Sequence, residues 1–361
     1  MVGRRDTIRP TYLRLEAASI CQLKCPACPT PQGVIRDHIG GTVLHFSTFR
    51  RLIDENPRIA NVELSNWGEI FLNRELPRIM AYAFERGVAL RADNGVNLNT
   101  ASDEMLEALV RYKFRSLRCS IDGATPQTYA IYRKGGDFDA VIANIRRINA
   151  YKARYRSMYP YLTWQFIAFA HNAHEIDAAR TLATELGIGF WVKLPWNEQP
   201  AAAEANVERI RSEAGAASTD EYRETFGKPY MADEYCRQLW DRPQVHTDGK
   251  VLGCCVNYWR DFGNALDDGL DAILNGERMD HARRMLEGTA EPRADIPCTT
   301  CGIYAEMQRA NAWLDGRRMR ATDWRSRLRR SRWTNRFVNR FVNRPVYAAL
   351  HAVALCTGLV R

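Results

Sequence analysis

Three closely spaced cysteines are the residues best suited to chemistry. Cys21, Cys25 and Cys28 stand in Ser19-Ile-Cys-Gln-Leu-Lys-Cys-Pro-Ala-Cys28, a C-x3-C-x2-C run. Three thiols this close cannot all pair with one another as disulfides. They can close round one face of an iron–sulfur cube, because such clusters are held by thiolates on short loops. Three ligands leave one iron open, and an open position separates a reactive metal site from a closed structural one. The alternative is a structural zinc or ferredoxin-like site, although zinc usually takes four ligands in paired C-x2-C units.

A second group follows much later. Cys236, Cys254, Cys255, Cys298 and Cys301 form C-x17-C-C, a long gap, then C-x2-C. Cys236, Cys254, Cys298 and Cys301 are the four expected to fill a second cube, with a structural zinc on the same ligands as the alternative. Cys255 is left over. It either exchanges roles with Cys254 or, since adjacent strand residues point to opposite sides, faces a substrate cavity. A thiol there can donate a hydrogen atom to a substrate radical. Of the ten cysteines only Cys119 and Cys356 lie outside these groups, and Cys119 reads as a small packed hydrophobe inside a strand.

The elements that must position these groups alternate. Strands are expected at 12–17, 59–65, 88–92, 114–120, 161–169 and 189–193, and helices at 46–56, 75–86, 105–112, 138–153 and 173–186. This rhythm implies parallel βαβ units, too few for a closed eight-fold barrel. Polar clusters follow the strands: Asn66-Trp-Gly-Glu69, Asp93-Asn-Gly95 and Ile121-Asp-Gly123. Functional residues of such barrels sit at the strands' C-terminal ends. Gly135-Gly136 reads as a turn leading into the helix after Asp137. Residues 196–233 read as a linker with one short helix. Asp248-Gly249 reads as a hairpin turn into a strand, and 264–286 as mostly helix.

The cysteine run, straight after a first strand, resembles the radical S-adenosylmethionine (SAM) family. The resemblance implies an open (β/α)6 TIM-like partial barrel of the α/β class. It also implies a [4Fe-4S] cluster on Cys21, Cys25 and Cys28 whose open iron takes the amino and carboxylate groups of SAM. One electron, from a donor such as flavodoxin or ferredoxin, then releases a 5′-deoxyadenosyl radical. Trp67-Gly68-Glu69 stands where the family often carries Gly-Gly-Glu-Pro, so only Gly68 and Glu69 carry over, Glu69 as acceptor for the SAM amino group. Asn94, Ser120 and Asp122 stand where the family contacts ribose and methionine groups. Arg133 is a candidate for the SAM carboxylate, and backbone at Ala27 for adenine. The later cysteines resemble a SPASM/twitch extension, in its short form with one auxiliary [4Fe-4S] cluster. Singly, the polar residues are also ordinary loop chemistry.

Charge is uneven. Residues 317–361 hold twelve Arg and one acid, Asp323, so +11 of the net +9 lies there and the rest of the chain carries about −2. A nucleic-acid groove on the body is not supported. The tail's Trp324, Leu328, Trp333, Phe337 and Phe341 alternate with Arg, and Pro345 is expected to break the pattern. Such a helix packs on the barrel, meets a partner, or lies peripherally on an anionic membrane. Thiols committed to metal and a charged N-terminus point to the cytoplasm. The organisation expected is a barrel over 1–195, a linker over 196–233, an auxiliary-cluster domain over 234–305 and a basic tail over 306–361.

The resemblance further implies a substrate that is a peptide or a small hydroxylated compound. With the barrel starting by residue 12, no peptide-recognition module precedes it, which favours a free or carrier-linked sugar or cyclitol. Epimerisation through Cys255 is the expected outcome, with dehydrogenation of an alcohol to a ketone as the second. A peptide-modifying enzyme and a non-catalytic electron-transfer protein are the remaining alternatives.

Overall fold

A computed structural model of the chain describes residues 7–196, 204–320 and 331–356. Eight strands form one sheet: β1 (Tyr12–Leu15), β2 (Asn61–Glu63), β3 (Ala89–Val96), β4 (Ser116–Ser120), β5 (Tyr161–Ile167), β6 (Gly189–Lys193), β7 (Gln244–Val245) and β8 (Val251–Gly253). Their order is β6-β5-β4-β3-β2-β1-β7-β8. All neighbours run parallel except β7 and β8, which form the hairpin expected at Asp248-Gly249. Leu13, Leu15, Val62, Leu90, Leu117, Trp164 and Val192 are buried, as strands covered by helices require.

The connecting helices begin and end on ordinary signals. Ser102 and Asp137 cap the helices Asp103–Arg111 and Phe138–Arg154 by accepting from the backbone N–H of Met105 and Ala140. Gly87, at φ +72°, ends Leu76–Arg86. Together the sheet and helices make the α/β radical-SAM-type partial barrel that the sequence implies, with a small cysteine-bearing unit and helical segments behind it.

Several elements depart from expectation. β3 runs on to Val96, although Asp93-Asn94-Gly95 reads as a loop. Its register slips between Ala92 and Val96, and side chains supply the missing ladder bonds. Asp93 N–H donates to the Glu63 carboxylate and Asn94 N–H to Ser65 Oγ. The linker contains two helices, Glu204–Ala214 and Thr219–Phe226, and a short third, Ala232–Cys236. Glu204–Ala214 lies against β6 as the sixth barrel helix, tied by Arg180–Glu213 and Arg209–Asp177 ion pairs. Its mixed composition hid it. Helices Val34–Ile39 and Pro126–Tyr132 were not expected; Thr125-Pro126, a capping residue followed by Pro, was the available signal for the second. A helix over Gly302–Ala310 crosses the boundary set at 305.

The tail closes the far end of the barrel. One continuous helix spans residues 332–356, with a π turn at Val338–Val342 just before Pro345, so Pro345 does not end it. Arg332 donates to the carbonyls of Ile53, Asn56 and Ile59. Asn335 Nδ2 donates to Ala60 O and Gly87 O, at the N-terminal ends of β2 and β3. Asn343 Oδ1 accepts from Met158 N–H. Trp324 and Leu328 lie outside the described residues. Among the described residues no helix is long and apolar enough to cross a membrane.

Candidate active site

The loop after β1 carries the first three cysteines. Cys28 N–H donates to Cys25 O at 3.2 Å, closing a tight turn, and Lys24 N–H donates to Lys134 O at 2.9 Å. Cys21, Cys25 and Cys28 all line one cavity of about 380 Å³ at the C-terminal ends of β1–β6. That is the scale of a small-ligand site. Burial, and next the charge of Glu69, push the Cys21 thiol up to about 12, and burial raises Cys25 as well. Such thiols become thiolates only against a strong positive charge, which the irons of a cluster supply. Among the described residues no three His, Cys, Asp or Glu side chains converge on a single ion. The fit to a cluster therefore rests on the three thiols sharing one cavity wall.

Gly68 and Glu69 sit beside this loop. A Cβ on Gly68 would lie 2.2 Å from Ala18 O and 2.6 Å from Ile20 O, so only glycine allows the two segments to touch. Glu69 N–H donates to Ile20 O at 2.8 Å. The Glu69 carboxylate accepts from Asn97 N–H at 2.6 Å and Phe71 N–H at 3.2 Å and is buried. Burial lifts its pKa to about 7 despite those bonds. An ammonium placed against it would be held by a charge-assisted bond.

Ala27, Asn94, Ser120 and Arg133 also line the cavity. Asn94 Nδ2 donates to Asn66 Oδ1, and Ser120 Oγ accepts from Gln165. Asp122 differs from expectation: it is fully buried and is not part of the lining. Its Oδ1 accepts from Ile167 N–H, and its Oδ2 takes Arg133 Nε at 2.6 Å. It positions the arginine rather than presenting itself to a ligand. Arg133 Nη1 lies 4.0 Å from Cys25 Sγ.

Cys236, Cys254, Cys298 and Cys301 line a second, small apolar cavity with Leu239, Trp259 and Tyr304. Burial raises all four thiols, and the proximity of Cys254, Cys298 and Cys301 raises Cys236 further. That donor set suits a fully ligated centre. Cys255, one residue along, opens onto the first cavity instead. Gln238 grips it at two points: Cys255 N–H donates to Oε1 at 2.8 Å, and Nε2 lies 3.2 Å from Sγ.

Three positioning or binding groups have no sequence motif. Glu16 accepts from the N–H groups of Trp67 (2.6 Å) and Gly68 (3.1 Å), fixing the turn that carries Glu69. Gln238 orients Cys255. Lys193, at the end of β6, is buried in the cavity wall with its ammonium 5.0 Å from the centre of the Trp196 ring. Burial lowers its pKa to about 8. The position of Lys193 at a strand's C-terminal end was the only available signal.

Glu69→Gln gives a pH test of this reading. A carboxyl whose folded pKa lies above its ordinary 4.5 stabilises the fold fully below that value and loses this as pH rises to about 7. The cluster-free variant should therefore be less stable than the native protein near pH 4.5 by up to about 1 kcal/mol, the cost of one weakened backbone bond. At pH 8 it should be more stable by about 2 kcal/mol, allowing for one weakened backbone bond. Urea unfolding at both pH values measures this, and isothermal titration should show SAM affinity lost.

Residues 15–163 match the model of the radical SAM superfamily, and residues 236–302 match that of the SPASM iron–sulfur cluster-binding domain. The chain carries a radical SAM domain followed by a SPASM domain. Both motif cysteine groups fall inside the matched stretches, the second ending at Cys301. The crystal structure of SuiB from Streptococcus suis bound to S-adenosylmethionine superposes with a TM-score of 0.58 at 14% identity, covering 82% of this chain and 71% of that one. SuiB bound to its precursor peptide SuiA gives 0.57 at 14% identity, over 82% and 70%. BtrN in complex with AdoMet and 2-DOIA gives 0.45 at 14% identity, over 81% of this chain and 93% of that one. No curated protein matches. The SuiB likeness shows that the radical SAM domain and its extension share the SuiB fold.

Proposed function

We propose that this radical SAM protein abstracts a hydrogen atom from a carbon of a sugar or cyclitol and epimerises that carbon, with Cys255 returning a hydrogen atom. The observation that carries the reading is that neighbouring cysteines open onto different cavities: Cys254 onto the four-cysteine one, Cys255 onto the one that holds Cys21, Cys25 and Cys28. A [4Fe-4S] cluster on the latter three would, with SAM, supply the 5′-deoxyadenosyl radical. Glu69 and Arg133 offer opposite charges for the SAM amino and carboxylate groups, with Ala27 and Ser120 beside them. Asp122 keeps Arg133 aimed. Asn66, Asn94 and Gln165 offer neutral hydrogen bonds, and Trp196 an aromatic face, a combination that suits a hydroxylated ring. Gln238 holds the Cys255 sulfur toward the cavity. A cluster on Cys236, Cys254, Cys298 and Cys301 would return an electron to the oxidised thiol.

Lys193 favours dehydrogenation as the second reading. A buried amine with a pKa near 8 can take the proton of a substrate hydroxyl while the electron leaves toward the second cysteine group.

Anaerobic reconstitution with iron and sulfide, followed by SAM, dithionite and a panel of aminocyclitols in deuterated water, tests the proposal. Formation of 5′-deoxyadenosine together with product deuterated at carbon supports epimerisation. A ketone, lost in Lys193→Met, would replace it with the second reading.

A further inference from the structure

The tail helix has two faces with different tasks. One clamps the barrel through Arg332, Asn335 and Asn343. On the other, Trp333, Phe337 and Phe341 are 68%, 44% and 55% exposed. Their rings stack in sequence, at 5.6 Å and 5.3 Å between centres, and Arg340 lies over Phe341 at 5.3 Å. The clamp already fixes the helix, so the aromatic row is not needed to hold it. From residue 324 onward the chain has no Asp or Glu, and Arg340 and Arg344 recur along the rings, while Arg336 reaches back to Glu85 O on the barrel. Lys113 adds positive charge at the same end, with Arg344 as its neighbour.

We propose that this face docks on an anionic phospholipid surface, the rings entering the headgroup boundary and the arginines meeting phosphates. Aromatics flanked by arginine, in a chain where no described helix is long and apolar enough to cross a membrane, match interfacial binding. Charge decides against a second copy of the chain: a twofold contact through this row would bring Arg340 and Arg344 of both copies together with no acid on the row to offset them. The row lies at the N-terminal ends of the strands and the reactive cavity at their C-terminal ends. A docked molecule therefore keeps its cavity turned to the aqueous side.

Sedimentation of the full chain with vesicles is the test. The protein should pellet with vesicles of equal parts phosphatidylcholine and phosphatidylglycerol. Binding should be weaker by about tenfold or more on phosphatidylcholine alone, and for Trp333→Ser/Phe337→Ser/Phe341→Ser. Salt near 0.5 M should release it. The triple variant should keep the native thermal midpoint, since Arg332, Asn335 and Asn343 remain. If it does not, Arg340→Glu repeats the comparison with the rings intact and should weaken binding to the anionic vesicles. Undiminished pelleting of both variants, or no pelleting of the native chain, overturns the proposal. So does a dimer, or retention on RNA, that the triple variant abolishes while vesicle binding persists.

Discussion

Replacing Cys255 with alanine should leave 5′-deoxyadenosine formation in place and cut product by on the order of a hundredfold or more, the scale of losing a positioned hydrogen-donating side chain. The sulfur sits in the wall of the reactive cavity, 3.2 Å from Gln238 Nε2, and is 4% exposed. An amide N–H aimed at the sulfur leaves the S–H free to point elsewhere. Cys255→Ser should fail equally, because it keeps size and polarity but its O–H bond is too strong to give up a hydrogen atom. Gln238→Leu should give an intermediate loss, since it frees the thiol to rotate without removing it. Product and deoxyadenosine, quantified together in deuterated water, separate these cases. Full turnover with deuterium at carbon in Cys255→Ala would sink the epimerase reading.

The second large effect is expected at Gly68. Alanine there places a methyl group 2.2 Å from the carbonyl oxygen of Ala18, against backbone that cannot swing aside like a side chain. We expect a loss of about 3 kcal/mol or more in urea unfolding, at the upper end for overpacking. The segment forced to move, Ala18–Ile20, leads directly into Cys21. Reconstituted Gly68→Ala should therefore lose the iron of the N-terminal site and keep that of the Cys236 group. Iron analysis alongside Cys236→Ala, which should do the reverse, makes the comparison. Equal stability and full iron in Gly68→Ala would show that the loop gives way freely.

The six barrel strands were legible because each carries buried apolar residues between turn-forming clusters. Their ends were less so. At β3 the strand continues through Asp93-Asn94-Gly95 because Glu63 and Ser65, thirty positions earlier, accept the backbone N–H groups. No local pattern announces that. The first cysteine group is legible from spacing, since a short loop makes neighbours in sequence neighbours in space; the second, spread over 236–301, is legible through its resemblance to a SPASM/twitch extension. Glu16, Gln238 and Lys193 were not, because each acts on a partner that only the fold brings near. Asp122 illustrates the opposite limit: a motif marks the position, and the fold decides that it serves Arg133. The helix Glu204–Ala214 reads as linker in sequence because its apolar face is thin: Ile210 is its one residue among 206–214 that is fully buried, with Ala214 packed beside it.

The clamp between the tail and the barrel has a consequence for how the molecule is made. Asn335 satisfies the carbonyl of Ala60 across 275 positions of chain, and Arg332 that of Ile53 across 279. While the ribosome is still extending the chain, the Ala60 carbonyl has only the N–H of Ala89 from within the barrel, and Asn335 adds its second bond later. The underside of the barrel is sealed by a segment made some 275 residues after the strands it covers, so the barrel's first strands wait through most of its synthesis for their cover.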